Sequence, residues 1–179
     1  PLVKQGRLLR LCLDHLSDDS DERLRRCAFQ CLGGLMVRNP VILLQKDVSR
    51  TVRVALEADS DPVAQLAVLQ AFRLFLEDED RRISATVSQN RPKNGKEAVA
   101  TDRVSSMSTA LANDFLGLIL DAMFPMAPRP GISEKQRDRV RAEAVALVAV
   151  VLRRGLTAPQ RVAPLLLAVT GQDDAVAAA

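Results

Sequence analysis

The chain has 179 residues, of which 47% are apolar and 26% charged, and its net charge is only +3. The apolar fraction is sufficient for a buried core, and the low aromatic content of 3%, with no Trp or Tyr, favours helices over strands. Three cysteines, an odd number, argue against a secreted disulfide scaffold and indicate a reducing compartment.

The chain begins at Pro1 and contains neither a signal peptide nor an apolar run long enough to cross a bilayer. We therefore expect it to be an excised or processed piece of a larger soluble protein.

The first half of the sequence predicts two helix pairs. Asp19 and Ser20 can cap the second helix, and Asn39 with Pro40 stops it. Pro62 fits the first turn of a helix, where its missing N–H costs nothing. The four predicted helices cover residues 2–16, 21–38, 46–57 and 61–83.

The second half is interrupted before it resumes the same plan. Residues 84–103 have no apolar period and contain Pro92 and Gly95, which predicts a polar insert that forms a flexible loop. Ser133 can cap a later helix, and Gly155 can end it. The predicted helices cover 104–124, 133–154 and 159–169. Three regions follow: helix pairs in 1–83, the insert 84–103, and one full pair plus a truncated pair in 104–179.

An internal repeat links these helices. The run Asp19-Ser20-Asp21 recurs 40 residues later as Asp59-Ser60-Asp61, and apolar residues at spacings of three and four follow each run. A period near 40 made of helix pairs is typical of HEAT arrays, which predicts an all-α solenoid. The repeated apolar positions begin at Leu24, Ala64 and Val140, and they include Cys31, Ala71 and Leu147.

Charge is unevenly distributed along the chain. Residues 57–80 carry seven acids and one base, whereas residues 129–161 carry eight bases and three acids. This polarity favours two different partners or one dipolar partner. The alternative is that both runs are solvated faces of the solenoid.

Catalytic constellations are hard to find. The single His15 leaves little room for hydrolytic triads or His-based metal sites, so we expect no enzyme. Cys12 and His15 on one helix could face Cys27 and Cys31 on the next and supply four zinc ligands. Cys12 and Cys31, however, fall on the apolar faces of their predicted helices, which we expect to form the core stripe, and a free cysteine there packs as a small hydrophobe. We therefore expect no metal and no cofactor.

The arginines divide into two groups by helical angle. Arg25 and Arg141 fall on the apolar side, directly after an aliphatic residue, and resemble the HEAT arginine that pairs with turn aspartates. We therefore expect a structural ladder, imperfect where Gln65 takes the equivalent position, that includes Asp19, Asp21, Arg25 and Arg141.

The second group points away from the core stripe. Arg153 and Arg154 have no acid within four residues in sequence, whereas Arg139 can pair with Glu143. Exposed guanidinium and ammonium groups of this kind suit phosphate contacts. The DNA-binding candidates are Lys135, Arg139, Arg153, Arg154 and Arg161.

Three segments resemble a known family. They are LGGLMVRNPVILLQKDVSRTV (32–52), LAVLQAFRLFLEDED (66–80) and VRAEAVALVAVVLRRGLTAPQRVAPLLLAVTGQD (140–173). They are similar to the carboxy-terminal HEAT region of the Nipped-B family, the large subunit of the cohesin loader. The most specific part runs from VLRRGL to TGQD. Arg154 stands where the family often has Gln, and Ala158 where it has His.

This resemblance implies a hook-shaped solenoid that binds DNA and the cohesin ring, helps DNA entry, and stimulates the ring's ATPase without catalytic residues of its own. It implies SMC heads and the kleisin as partners, a smaller loader subunit bound by a region outside this segment, no membrane, and a nuclear location on chromatin. The alternative is a HEAT scaffold or transport adaptor that binds proteins only.

Overall fold

The computed structural model of the chain describes residues 2–16, 21–57, 60–89, 98–124 and 131–177. The described residues form helices joined by short connections, with no strand among them, which confirms the predicted all-α class. The α-helices are α1 (Leu2–Leu16), α2 (Glu22–Arg38), α3 (Lys46–Leu56), α4 (Pro62–Gln89), α5 (Ala98–Asp121), α6 (Glu134–Arg153) and α7 (Pro159–Ala177), and a short 3-10 helix spans Pro40–Leu44.

Side-chain caps and special residues set several helix ends. Asp21 caps α2, because its Oδ1 accepts the backbone N–H groups of Arg23 at 2.9 Å and Leu24 at 3.2 Å. Ser133 and Gln136 form a capping box at the start of α6, which confirms the predicted cap. Gly155, with φ of +64°, ends α6 in the left-handed conformation that favours glycine.

The helices form two layers. In one layer α2 packs on α4 and α4 packs on α6, and in the other α1 packs on α3 and α3 on α5. Within each pair the two helices also contact each other, α1 with α2, α3 with α4 and α5 with α6. This stacking of helix pairs is the arrangement of a HEAT-like solenoid, as predicted.

The α2–α4 interface depends on small side chains. A Cβ atom placed on Gly33 of α2 would lie 3.1 Å from the Cβ of Ala71 and 3.6 Å from the carbonyl oxygen of Ala67, both on α4. The neighbouring Gly34 has nothing within 4 Å of such a position. The two helices therefore approach closely at Gly33 because no side chain separates them.

The core runs through both layers and contains most of the predicted apolar positions. Two predictions in the first repeat are wrong, because Leu24 is 41% exposed and Cys31 is exposed. The equivalent residues of later repeats are buried, namely Ala64, Ala71, Val140 and Leu147. The reason is positional: α4 and α6 each have a preceding helix in their own layer, whereas among the described helices none precedes α2 in that layer.

The predicted insert is shorter than expected. Residues 84–89 belong to α4 and residues 98–103 to α5, so a loop over all of 84–103 is wrong for both ends. Residues 90–97 of the insert lie outside the described residues. No Pro or Gly occurs between Pro62 and Pro92, and a helix can continue without an apolar period where no helix-breaking residue ends it.

Candidate nucleic-acid interface

Four of the five candidate bases are exposed. Lys135, Arg139 and Arg153 lie on α6, and Arg161 lies in the first turn of α7. Lys135 and Arg139 are one helical turn apart on α6, so their side chains leave the same side of the helix. The fifth candidate, Arg154, has only 10% of its side chain exposed.

Arg139 does not pair with Glu143 as the sequence spacing suggested. Glu143 instead accepts a hydrogen bond from the Nε of Arg73 on α4, and this bond raises the pKa of Arg73 above its ordinary value. The Nη1 of Arg73 also lies 2.9 Å from the Oε1 of Glu77. One arginine of α4 thus joins an acid of α6 to an acid of its own helix. Within the described part of the chain, Arg139 has no acidic partner.

Arg154 corrects the sequence argument. Its side chain is only 10% exposed, its Nη1 lies 2.5 Å from the Oε2 of Glu79, and its Nε lies 2.9 Å from the Oδ1 of Asp80. The Nη1 also donates to the carbonyl oxygen of Leu76 at 3.2 Å. These partners are all on α4, so a search for acids within four residues along α6 could not find them. Arg154 fixes α6 to α4 and is not available to a phosphate.

Glu79 and Ser108 are polar residues of this region that sequence reasoning missed. Glu79 is 2% exposed, and its Oε2 accepts a hydrogen bond from the hydroxyl of the buried Ser108 on α5. The signal that could have found it is its position three residues after the buried Leu76, on the apolar side of α4.

A cleft of about 690 Å³ opens between α4 and α6 beside this buried network. Arg153 stands at its edge, and its Nε donates to the carbonyl oxygen of Ala149 on the same helix at 3.3 Å. Acids as well as bases line this cleft, so Arg153 stands in different surroundings from Lys135 and Arg139. The lining residues are Glu77, Asp80, Arg81, Val150, Arg153, Arg154 and Leu156.

The expected ladder has one member outside the described residues, Asp19. Asp21 acts as the cap of α2, and Arg141 donates from its Nη2 to the carbonyl oxygen of Val169 on α7 at 3.4 Å. Gln65, at the equivalent position of the second repeat, donates to the carbonyl oxygen of Leu56 at 3.2 Å. Gln65 therefore contacts the preceding helix, whereas Arg141 contacts the following one. Arg25 is half-buried near the start of α2.

The cysteines and His15 do not gather into a metal site. Among the described residues no group of three or more His, Cys, Asp or Glu side chains is placed to hold a metal ion. Cys12 is buried, whereas Cys27 and Cys31 are exposed. Burial, and after it the neighbouring thiol of Cys31, raises the pKa of Cys12 above its ordinary value of 9.0. Cys12 thus packs as a small hydrophobe, as expected.

Comparison with known proteins gives a distant similarity. No protein-family model matches the chain. Nipped-B-like protein B of the zebrafish Danio rerio is 24% identical to it over 171 residues, which is 94% of this chain and 6% of that protein. The chain therefore spans a small part of the relative it matches. No helix in the described part of the chain is long and apolar enough to cross a membrane.

Proposed function

We propose that this chain is part of a HEAT-type cohesin loader that holds DNA by its phosphates and contacts the cohesin ring. In this role it promotes cohesin loading and stimulates the cohesin ATPase, while it supplies no catalytic residue itself. The observation that carries the proposal is the similarity to Nipped-B-like protein B along 94% of the chain. The stacked helix pairs support it, because they agree with the HEAT architecture that the sequence resemblance implies.

DNA contact is assigned to Lys135, Arg139 and Arg161. All three are exposed, and within the described residues none has an acidic partner. Cationic side chains that contact phosphates release counterions and bind duplexes of any sequence. A rigid solenoid suits this kind of binding, because it holds its cations at fixed positions along the duplex.

The proposed protein partners are the SMC heads and the kleisin of cohesin, and the proposed location is the nucleus, on chromatin. The smaller loader subunit is assigned to a region outside this chain. A repeat surface can present one patch to DNA and another to a protein, because each helix pair contacts mainly its neighbours and leaves separate surfaces free.

Salt-dependent binding to a 30-bp duplex, followed by fluorescence anisotropy, tests the DNA proposal. Lys135→Glu with Arg139→Glu should weaken binding to all duplex sequences and flatten the slope of log K against log salt by about two. Lys46→Glu with Arg50→Glu is the matched control, because these exposed residues are also four apart but lie on α3 in the other layer. If both double variants gave the same slope of log K against log salt, Lys135 and Arg139 on α6 would not be the DNA contacts.

A scaffold that binds only proteins is the second candidate. The observation that favours it concerns Arg154, which the sequence analysis assigned to DNA. In the structure its side chain is held inside the protein by ion pairs with Glu79 and Asp80. This reading predicts that the chain retains cohesin heads with bound kleisin on affinity beads but does not bind the duplex at low salt. Duplex binding that depends on Lys135 and Arg139 would contradict it.

A further inference from the structure

The α4–α6 cleft has a charge pattern that differs from the rest of α6. Arg154 on its wall pairs with Glu79 and Asp80, and Glu77 pairs with Arg73. Two exposed guanidinium groups remain, those of Arg81 on α4 and Arg153 on α6. No acidic partner for either lies within the described residues. Arg81 and Arg153 are therefore the cations of the cleft that a carboxylate of a ligand can reach, although acids and bases both line it.

The cleft also has apolar side chains. Val150 is buried on α6, and the half-buried Leu156 follows the Gly155 turn, so both contribute carbon surface to the lining. A ligand that fits must offer an apolar group to Val150 and Leu156 and anionic groups to the two arginines. A carboxylate suits a guanidinium, because two parallel N–H···O bonds can form between the two planar groups.

A DNA duplex satisfies this pattern poorly. It offers a continuous line of phosphates and no apolar side chain, so no part of it fits against Val150 and Leu156. A peptide can place one apolar side chain in a cleft of about 690 Å³ while its own carboxylates reach the arginines at the edge.

The geometry points to a docking site for an acidic, leucine-containing segment of a partner protein in the α4–α6 cleft. Arg81 and Arg153 bind its carboxylates, and Val150 with Leu156 receives its apolar side chain. Arg154 is a positioning residue, because its ion pairs with Glu79 and Asp80 hold the two helices that form the cleft. This site is independent of the proposed DNA contact, since Lys135, Arg139 and Arg161 do not line it.

The test uses two ligands and two double variants. The probes are a fluorescein-labelled peptide with the sequence Ser-Gly-Glu-Glu-Leu-Leu-Glu-Glu-Gly-Ser and the 30-bp duplex. Arg81→Glu with Arg153→Glu should weaken peptide binding about tenfold or more and leave duplex binding within about twofold. The matched control, Lys135→Glu with Arg139→Glu, carries the same charge change on α6 and should leave peptide binding unchanged. Circular dichroism checks that each variant keeps its helices.

Two further measurements sharpen the result. Arg81→Gln with Arg153→Gln should also weaken peptide binding, which separates the loss of a cation from the cost of a new acid near the end of α6. A peptide with Ser in place of both Leu residues should bind about tenfold more weakly if the apolar lining takes part. Unchanged peptide affinity in either Arg81/Arg153 variant would overturn the proposal. It would also fail if the wild-type chain did not bind the peptide at 1 mM, or if the cleft variant lost the duplex instead.

Discussion

The guanidinium of Arg154 lies 2.5 Å from the carboxylate of Glu79, although the two residues are 75 positions apart in sequence. Both side chains are largely removed from solvent, and Ser108 donates a further hydrogen bond to the same carboxylate. Three helices, α4, α5 and α6, therefore meet at one largely buried polar cluster. Burial makes each of these charges depend on its partner.

Removal of one member of this pair should destabilise the protein strongly. Arg154→Leu leaves the Glu79 carboxylate buried without its partner, which should lower the free energy of the first unfolding step in urea titrations by about 3–5 kcal/mol. Arg153→Leu, the exposed neighbour, should cost under about 0.5 kcal/mol. Replacement of both partners, Glu79→Leu with Arg154→Leu, should recover much of the loss. Equal effects of the Arg153 and Arg154 variants would contradict the buried pair.

Two leucines of α2 should differ in their contribution to stability. Leu32 is 1% exposed, and Leu32→Ala should cost about 2–5 kcal/mol, because it removes a side chain from the closely packed core. Leu35 is half-buried at the edge of the core, so Leu35→Ala should cost clearly less. Denaturant titrations of the two variants give the comparison, and a larger cost at Leu35 would show that the two faces of α2 were assigned the wrong way round.

The adjacent glycines of α2 offer a test of the helix contact. Gly34→Ala should stabilise the protein by up to about 1 kcal/mol, because alanine favours helix and nothing lies within 4 Å of its methyl group. Gly33→Ala should gain less, since its methyl group would lie 3.1 Å from Ala71. Gly33→Leu should cost about 1–3 kcal/mol through overpacking. Melting temperatures of the three variants measure these differences; a Gly33→Leu variant as stable as the wild type would exclude the close approach.

The three cysteines should react at different rates. The thiolate is the reactive form, and the pKa of Cys12 is raised, so at pH 8 iodoacetamide should modify Cys27 and Cys31 well before Cys12. The folded state also keeps the Cys12 proton to a higher pH than the unfolded chain does. Its contribution to stability is therefore complete below pH 9.0 and declines as the pH rises above that value. Mass spectrometry of the alkylated peptides measures the rates, with Cys12→Ser as the control.

Local sequence patterns predicted much of the fold. Spacings of three and four residues identified the helices, and Ser133, Gly155 and Pro62 marked their ends, because these effects act within a few residues of the chain. Predicted exposure was wrong at Leu24 because burial depends on which helix lies against a face. The end of α4 was placed too early, because the loss of the apolar period after residue 83 was taken as the end of the helix.

The candidate site was predicted less well than the fold. Residue type and helical angle correctly placed Lys135, Arg139, Arg153 and Arg161 at the surface. They failed for Arg154, since its acidic partners come from α4, and the packing of two helices decides whether such groups meet. The cleft between α4 and α6 depends on the same packing and could not be read from either helix alone.

The stacking of the helix pairs also determines the order in which the helices unfold. The main contacts join helices that are one or two places apart along the chain, so no single interface involves every helix. The free energy of unfolding is then close to a sum of terms for each helix pair and for each interface between neighbouring pairs. One end of the array can therefore unfold while the other stays folded. Loss of the Arg154 ion pairs should release α6 and α7 first and leave α1 to α3 folded. Unfolding would then proceed in two steps, which hydrogen exchange would resolve helix by helix.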